Sequence, residues 1–421
     1  MDTRRSFIKK AIGGLVAASS PALKADPEGQ TVKPDETAAI FNPYQGVDWK
    51  RWKQIISVSH LHITSQEQLD KACARMKIRH LPISNYYPSA PCYPAADVLV
   101  GQHRPRQDFG VVCQGRFIDG PIDWNRIITD EKTGWVNELP ETKRKELPLK
   151  AGGKMFQNIP ADLIISPNAE HHSFTDTSLH ANSIGSLYAS GTFDADKSFL
   201  TAKHGYCAGT GLPWEKAFAR ILDQMLSPDA GGITINHPTW SRLPFPQVCR
   251  MLDFDPRVLG IEVFNNTCAI GYGDPNRGWA YQLWDDVLAT GRKCLGFFTP
   301  DHAIGKGQNI LLVPEFNERE CLRAYRRGAF YGAIEGTGLR FSNITLAGGT
   351  LFVALNRRGV VRLASDKGEV AKSKGVTEAE FKIPGGKDGQ PAVSYLRVEA
   401  HDESNERLFS QPIMFGPAAT L

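Results

Sequence analysis

From about residue 50 the chain alternates short runs of β-type apolar residues with stretches whose apolar positions recur at helical spacing. IISVSHLHI (55–63) predicts a strand, and SQEQLDKACARM after it a helix, with Ser65 and Gln68 at capping-box spacing. RHLPISNYY (79–87) predicts a second strand. The alternation resumes with DLIISPNAE (162–170) and HANSIGSLYAS (180–190) as strands. PWEKAFARILDQML (213–226) then reads as a helix with Pro213 in its first turn and Phe218, Ile221, Leu222 and Met225 on one face. GGITINHP (231–238) and VLGIEVFNN (258–266) predict strands, RGWAYQLWDDVLATG (277–291) a helix closed by Gly291, and KCLGFFTPDH (293–302) a further strand. NERECLRAYRRG (317–328) predicts a helix that starts at Asn317 and Glu320 and stops at Gly328. About seven strands alternating with helices imply a parallel α/β architecture, as a barrel or an open sheet.

Two stretches depart from this rhythm. Residues 88–160 are rich in proline and show no clear periodicity; a structureless loop of that length is unusual, so short local structure covering something is expected there. Beyond about 336, RFSNITL, TLFVALN, VVRLAS, AEFKIP, SYLRVEAHD and LFSQPIMF are short strands between glycine, asparagine and lysine turns, which predicts a small all-β, sandwich-like domain over 336–417. Residues 26–48 are polar with proline and glycine and read as a linker into a domain spanning 49–335.

Ahead of that linker, TRRSFIKK (3–10) and the short, small-residue run AIGGLVAASSPAL form a pattern similar to a twin-arginine export signal over residues 1–25. The run is too short to serve as a permanent membrane anchor. Cleavage after Ala22 or Ala25 fits equally, and the expected destination is the periplasm, reached through the twin-arginine export machinery.

Composition changes this picture little. With 421 residues, 41% of them hydrophobic and 22% charged, the chain is ordinary for a soluble globular protein. A formal net charge of +4 with scattered lysines and arginines gives no case for a nucleic-acid partner. The eight cysteines form no C-x-x-C pair, so a cysteine-based zinc site is not expected; several sit in apolar segments, and disulfides are permitted but not required.

The eleven histidines change it more. In HLH, His60 and His62 lie at i and i+2 of a strand and share a face, so both imidazoles can reach one ion. Other strands also end in donors: Glu170, His237, Glu262, Asp301 and His302. In α/β barrels the C-terminal strand ends form the active-site rim, where groups remote in sequence converge. A single buried histidine is usually just hydrogen-bonded in a core, but five strands ending in donors fit that account poorly. Glu170 is the natural bridge between two ions, and His180 can return to the same place; His171 and His172 read as exposed loop histidines. Such a donor set suits one to three ions of Zn, Mn or Fe and fits Mg or Ca poorly.

The elements HLH (60–62), AE (169–170), LHANSIGS (179–186), INHP (235–238), GIEVFN (260–265) and TPDH (299–302), in this order, resemble the polymerase and histidinol phosphatase (PHP) superfamily over about 50–335. With WDDVLATGRKCLGFF and RAYRRGAFYG they are most similar to its exported, carbaryl-hydrolase-like branch. The resemblance implies a distorted seven-stranded (β/α) barrel with two or three metals that hydrolyses phosphoesters or, in this branch, carboxylic or carbamic esters. Carried over position by position, the ligands would be His60, His62, Glu170, His180, His237 and His302, with Glu262 a carboxylate behind them. Three departures stand out. Ser84-Asn85-Tyr86 replaces the usual Thr-Asp-His, the Ser-Asp-Gly after His-x-His is missing, and Pro300-Asp301-His302 replaces Asp-x-His. The first of these weakens a third metal site.

The resulting expectation is an exported metal-dependent hydrolase of small ester or phosphoester molecules, in which bound metal supplies hydroxide and stabilises developing negative charge. Asp301 is the expected catalytic acid–base group. Asn85, Tyr86 and His204 would line the substrate pocket, under a lid formed by the 88–160 insertion. The rival reading is a catalytically decayed barrel that binds a metal and a ligand; it gains if Asp301 cannot face the cluster. A third, a polysaccharide-associated protein acting through its β domain, lacks an aromatic cluster in that domain.

Overall fold

Strand formation dominates the chain, and the hydrogen-bond ladders sort the strands into two sheets. The computed structural model describes residues 39–63, 66–84, 158–172, 174–186, 212–335, 338–386 and 391–416, all within one unit, Thr37–Leu421. The export signal, most of the linker and the 88–160 insertion, Ser65, Asn85, Tyr86 and His204 lie outside the described residues. The first sheet contains β1 (Lys53–Ser57), β2 (His80–Pro82), β3 (Ile164–Ser166), β9 (Gln308–Val313), β10 (Phe330–Ile334) and the strands after it. The second contains β4 (Glu170–His171), β5 (His180–Ile184), β6 (Gly232–Asn236), β7 (Val258–Asn265) and β8 (Leu295–Thr299), in that order.

The two sheets meet where the site will be found. Leu61, beyond the end of β1, bridges in parallel to Asp301, beyond the end of β8. Asp301 N–H donates to the His60 carbonyl at 2.9 Å. On the other flank Glu170 N–H donates to the Ser84 carbonyl at 3.1 Å. Among the described residues these contacts do not close one seven-stranded barrel ladder, and the strands are not all parallel. β1–β2, β2–β3, β6–β7 and β7–β8 are parallel, whereas β4–β5, β5–β6 and β1–β9 are antiparallel. For β4–β5 the reason lies in connection length. Residues 172–179 join β4 to β5, and a parallel crossover needs about a dozen residues or more.

The helices form where the sequence carries both a stripe and a stop. α1 (Gln66–Met76) buries Leu69, Ala72 and Met76 against Val58, Leu61 and Ile63, which follow β1, and against β2 and β3. α2 (Trp214–Asp223) buries Trp214, Phe218, Ile221 and Leu222, and each large apolar side chain so covered contributes about 1.5–3 kcal/mol. α3 (Phe245–Phe254), the short α4 (Asn266–Ile270) and α5 (Tyr281–Ala289) follow, with Val248, Met251, Trp284 and Leu288 in the same core as the second sheet. In α6 (Glu318–Arg327) the Asn317 side chain accepts from Glu320 N–H at 2.9 Å, and Gly328 ends the helix at φ 75°. Both ends match the sequence reading.

The C-terminal strands β11 (Phe341–Ala347), β12 (Thr350–Ser365), β13 (Gly368–Lys382), β14 (Tyr395–His401), β15 (Arg407–Ser410) and β16 (Ile413–Met414) pair antiparallel to one another. β15 also pairs with β10, so this region continues the first sheet. TLFVALN and VVRLAS form one strand, β12, rather than two. The five described cysteines are free thiols, four of them buried. Among the described residues no helix is long and apolar enough to cross a membrane.

Candidate metal centre

His60 and His62 project to one side, as their spacing requires, with their Nε2 atoms 3.2 Å apart. Three further contacts fix the backbone around them: Leu61 N–H donates to Ser84 Oγ at 2.8 Å, and Asn168 and Asn182 both donate to the Ser59 carbonyl. His60 is fully buried, and its Nδ1 lies 2.6 Å from Glu262 Oε1. A neutral His60 ring donating there leaves its Nε2 as a lone pair. That lone pair faces His62 Nε2, Glu170 Oε2 at 3.4 Å and Asp301 Oδ1 at 3.3 Å.

Glu170 stands at the centre, and its two oxygens face different histidines. Oε2 is 3.0 Å from His62 Nε2, while Oε1 is 3.1 Å from His180 Nδ1 and 3.2 Å from His237 Nε2. The β4–β5–β6 ladders explain the convergence: Glu170 pairs with Asn182 and His180 with Asn236, so these side chains stand on one face. Asn236 also donates to Glu170 Oε1, at 3.2 Å. Strand alternation would turn the next residue, His237, away. Its φ of 26° breaks the alternation and brings it inward. Asp301, at φ 58°, is the other non-glycine positive-φ residue in the cluster. Such conformations cost about 1–3 kcal/mol each and gather at functional sites.

Glu262 holds histidines with both oxygens. Besides His60, it accepts from His237 N–H at 2.8 Å and from Asn265 Nδ2 at 3.0 Å. Asn265 donates as well to Asp301 Oδ2 at 3.1 Å, while the buried Asp301 Oδ1 receives no hydrogen bond. Among the described residues, three sets of donor atoms lie within 4.8 Å of one another: His60–His62–Glu170–Asp301, His60–His237–Glu262 and Glu170–His180–His237. His302 stands outside these sets. Its half-exposed ring stacks on His62 at 3.9 Å, with Nε2 3.5 Å from Asp301 Oδ1.

Buried charge dictates the titration of the cluster. Burial disfavours a charged His60, but Asp301, Glu170 and Glu262 outweigh it and raise its pKa well above the ordinary value. Burial would raise Glu170, yet His60 and hydrogen bonds from His180 and His237 hold it well below the carboxylate range. His237 is raised despite burial, through Glu170 and Glu262. His180 is lowered by burial, and His302 is pushed down to about 4 by burial and by His62. In this metal-free balance, protons on His60 and His237 offset the buried carboxylates; a divalent cation can do the same.

His171 and His172 are not exposed loop residues. The β4–β5 pairing draws His171 inside, where its Nε2 lies 2.9 Å from Ser183 Oγ, and places His172 beside His180 with ring centroids 5.2 Å apart. Burial lowers both to about 3. Sequence reasoning missed Asn236, Asn265 and Trp240, whose ring lies 5.0 Å from His237 and 5.5 Å from His180. The two asparagines stood inside the INHP and GIEVFN segments and could have been read as donors. For Trp240 only its nearness to His237 in the sequence was available.

No protein-family profile and no curated protein matches the chain. A solved structure of a two-domain protein from Bacteroides vulgatus, described as containing a predicted PHP-like metal-dependent phosphoesterase, aligns over 89% of this chain and 95% of its own. The identity is 13% and the TM-score 0.37. At that score the likeness fixes neither fold nor activity.

Proposed function

We propose that this protein is a metal-dependent hydrolase of PHP type, acting on phosphoester or on carboxylic or carbamic ester bonds. One observation carries the reading: ring nitrogens of His60 and His62 and carboxylate oxygens of Glu170 and Asp301 converge within 4.8 Å of one another, and Asp301 Oδ1 is buried without a hydrogen bond. Buried acceptors arranged in this way are costly unless a cation or proton lies between them. Nitrogen and carboxylate donors together fit Zn, Mn or Fe.

On this reading His60, His62, Asp301 and Glu170 would hold one ion, and His180 and His237 would hold another together with Glu170. Glu262 and Asn265 orient His60, His237 and Asp301 from behind, as outer partners of ligating side chains do. Divalent ions so bound lower the pKa of water and stabilise charge on a substrate oxygen. Asp301 then serves as a ligand rather than as the acid–base group expected from sequence. His302, half-exposed and neutral at pH 7, faces the same space and takes the proton-accepting role. Asn85, Tyr86 and His204, which lie outside the described residues, keep the substrate-pocket role read from the sequence as part of this proposal. TRRSFIKK carries the further proposal of twin-arginine export to the periplasm.

Metal analysis and turnover on one purified sample test this reading, with the protein expressed in mixed Mn²⁺, Fe²⁺ and Zn²⁺. Two or more ions per chain, with turnover of nitrophenyl phosphate or acetate that chelation abolishes, is the expected result. Less than one ion and no turnover of either ester would refute it in favour of a ligand-binding protein on a decayed site.

A further inference from the structure

Away from the metal centre, a cleft of about 500 Å³ opens between the segment leading into α5 and strands β12–β15. Small-ligand sites run from about 300 to 1,000 Å³, so the volume suits a compact molecule. Its floor is aromatic. Trp279 and Phe409 lie 6.3 Å apart, and Phe264 backs Trp279 at 4.8 Å. The sequence of the β region alone shows no such cluster, because Trp279 and Tyr281 come from the chain before it.

One wall is a closed ionic network. Glu399 accepts from the Tyr281 hydroxyl, from Arg362 and from Arg397 Nη1 at 3.0 Å. Arg397 is fully buried, with its guanidinium 4.1 Å from the centre of the Trp284 ring, and also pairs with Asp285. The single carboxylate lining the cleft is therefore already matched from within the protein. Three cations line the same space: Arg362, Lys372 and Arg407. The half-exposed Glu369 lies 3.8 Å from Lys372 and 3.9 Å from Arg362, and the Arg407 Nε–H donates to the neutral Asn405 side chain at 3.3 Å. The remaining charge at the rim is positive, above an apolar floor.

We infer that this cleft binds a small carboxylate carried on a ring, with the ring on Trp279 and Phe409 and the carboxylate between Lys372 and Arg407. Planar and sugar rings both offer an apolar face to aromatic side chains, and a carboxylate takes charge-assisted hydrogen bonds from arginine and lysine. A uronic-acid sugar and an aromatic acid share this chemistry. None of the cleft residues belongs to the metal centre, so the inference stands apart from the hydrolase reading.

Titration calorimetry on the full chain tests it directly, with D-glucuronate and benzoate as probes and glucose as the neutral control. At least one anion should bind while glucose does not. The double variant Lys372→Ala/Arg407→Ala alters two exposed side chains and should weaken binding by about tenfold or more. Binding of glucuronate alone assigns a sugar acid, and of benzoate alone an aromatic acid. Absence of binding by both anions at millimolar concentration, or an affinity unchanged in the double variant, overturns the inference. Because the readout is binding without turnover, neither result bears on hydrolysis.

Discussion

His80 offers the cleanest quantitative test of the described core. It sits fully buried on β2, with Nδ1 2.9 Å from Ser57 Oγ on β1 and Nε2 2.9 Å from Ser166 Oγ on β3. The Tyr325 hydroxyl donates to the same Ser57 oxygen at 2.7 Å. Burial alone pushes its pKa from 6.5 down to about 3. Below the unfolded pKa the unfolded chain takes up a proton that the native ring does not, so stability is full above about pH 6.5 and falls as pH drops toward 3. At 1.36 kcal/mol per pH unit, the loss at pH 5 is about 2 kcal/mol. His80→Gln keeps a donor and an acceptor near the two serines but cannot titrate. At about pH 7.5 the variant should be less stable by about 1–2 kcal/mol, through poorer hydrogen bonds and packing. At pH 5 that deficit should vanish or reverse, because wild type alone has lost the protonation difference. Urea unfolding followed by far-UV circular dichroism at both pH values measures the gap. A gap that stays constant to within about 0.5 kcal/mol would refute a buried neutral His80.

Two further substitutions probe the site and its scaffold. Glu170→Gln replaces one oxygen of the central carboxylate with an amide donor, and should lower metal affinity by more than about 100-fold with the circular dichroism spectrum unchanged. Metal content equal to wild type would remove Glu170 from the ligand set. Gly260→Ala would place a Cβ 1.9 Å from the Leu295 carbonyl oxygen, its partner in the β7–β8 ladder. That should cost about 3 kcal/mol or more; a melting temperature within about 2 °C of wild type would contradict the described approach.

What the sequence showed and what it hid follow from how each feature is encoded. α2 and α6 were legible because they carry an apolar stripe, and α6 has in addition an asparagine start and a glycine stop. α3 was missed: Pro244 begins it, and no side chain caps its N-terminus. β9 and β10, QNILLV and FYGAI, are buried along their whole length, so they lack the polar alternation that marks a half-exposed strand. The first two thirds of β13 are hidden for the opposite reason, since most of that stretch is exposed and polar, and only its end, in AEFKIP, reads as a strand.

The same logic explains the exchange of places between Asp301 and His302. In β8, Leu295 and Phe297 pack into the core shared with β9 and β10, whereas Phe298 packs against Trp284 and Phe409. Position 301 shares the parity of 295 and 297, so strand alternation favours Asp301 over His302 for the side facing β1. Both faces of β8 are apolar, however, and nothing in the sequence says which one looks toward the histidines. At β7, a register shift between Glu262 and Phe264 brings Asn265 to the side of Glu262, against simple alternation. Positive φ at His237 and Asp301 is likewise invisible in residue types, because neither is glycine. The donors were legible as a set because their chemistry is unusual for a core. Their arrangement in the cluster depends on backbone irregularities, which only the folded chain displays.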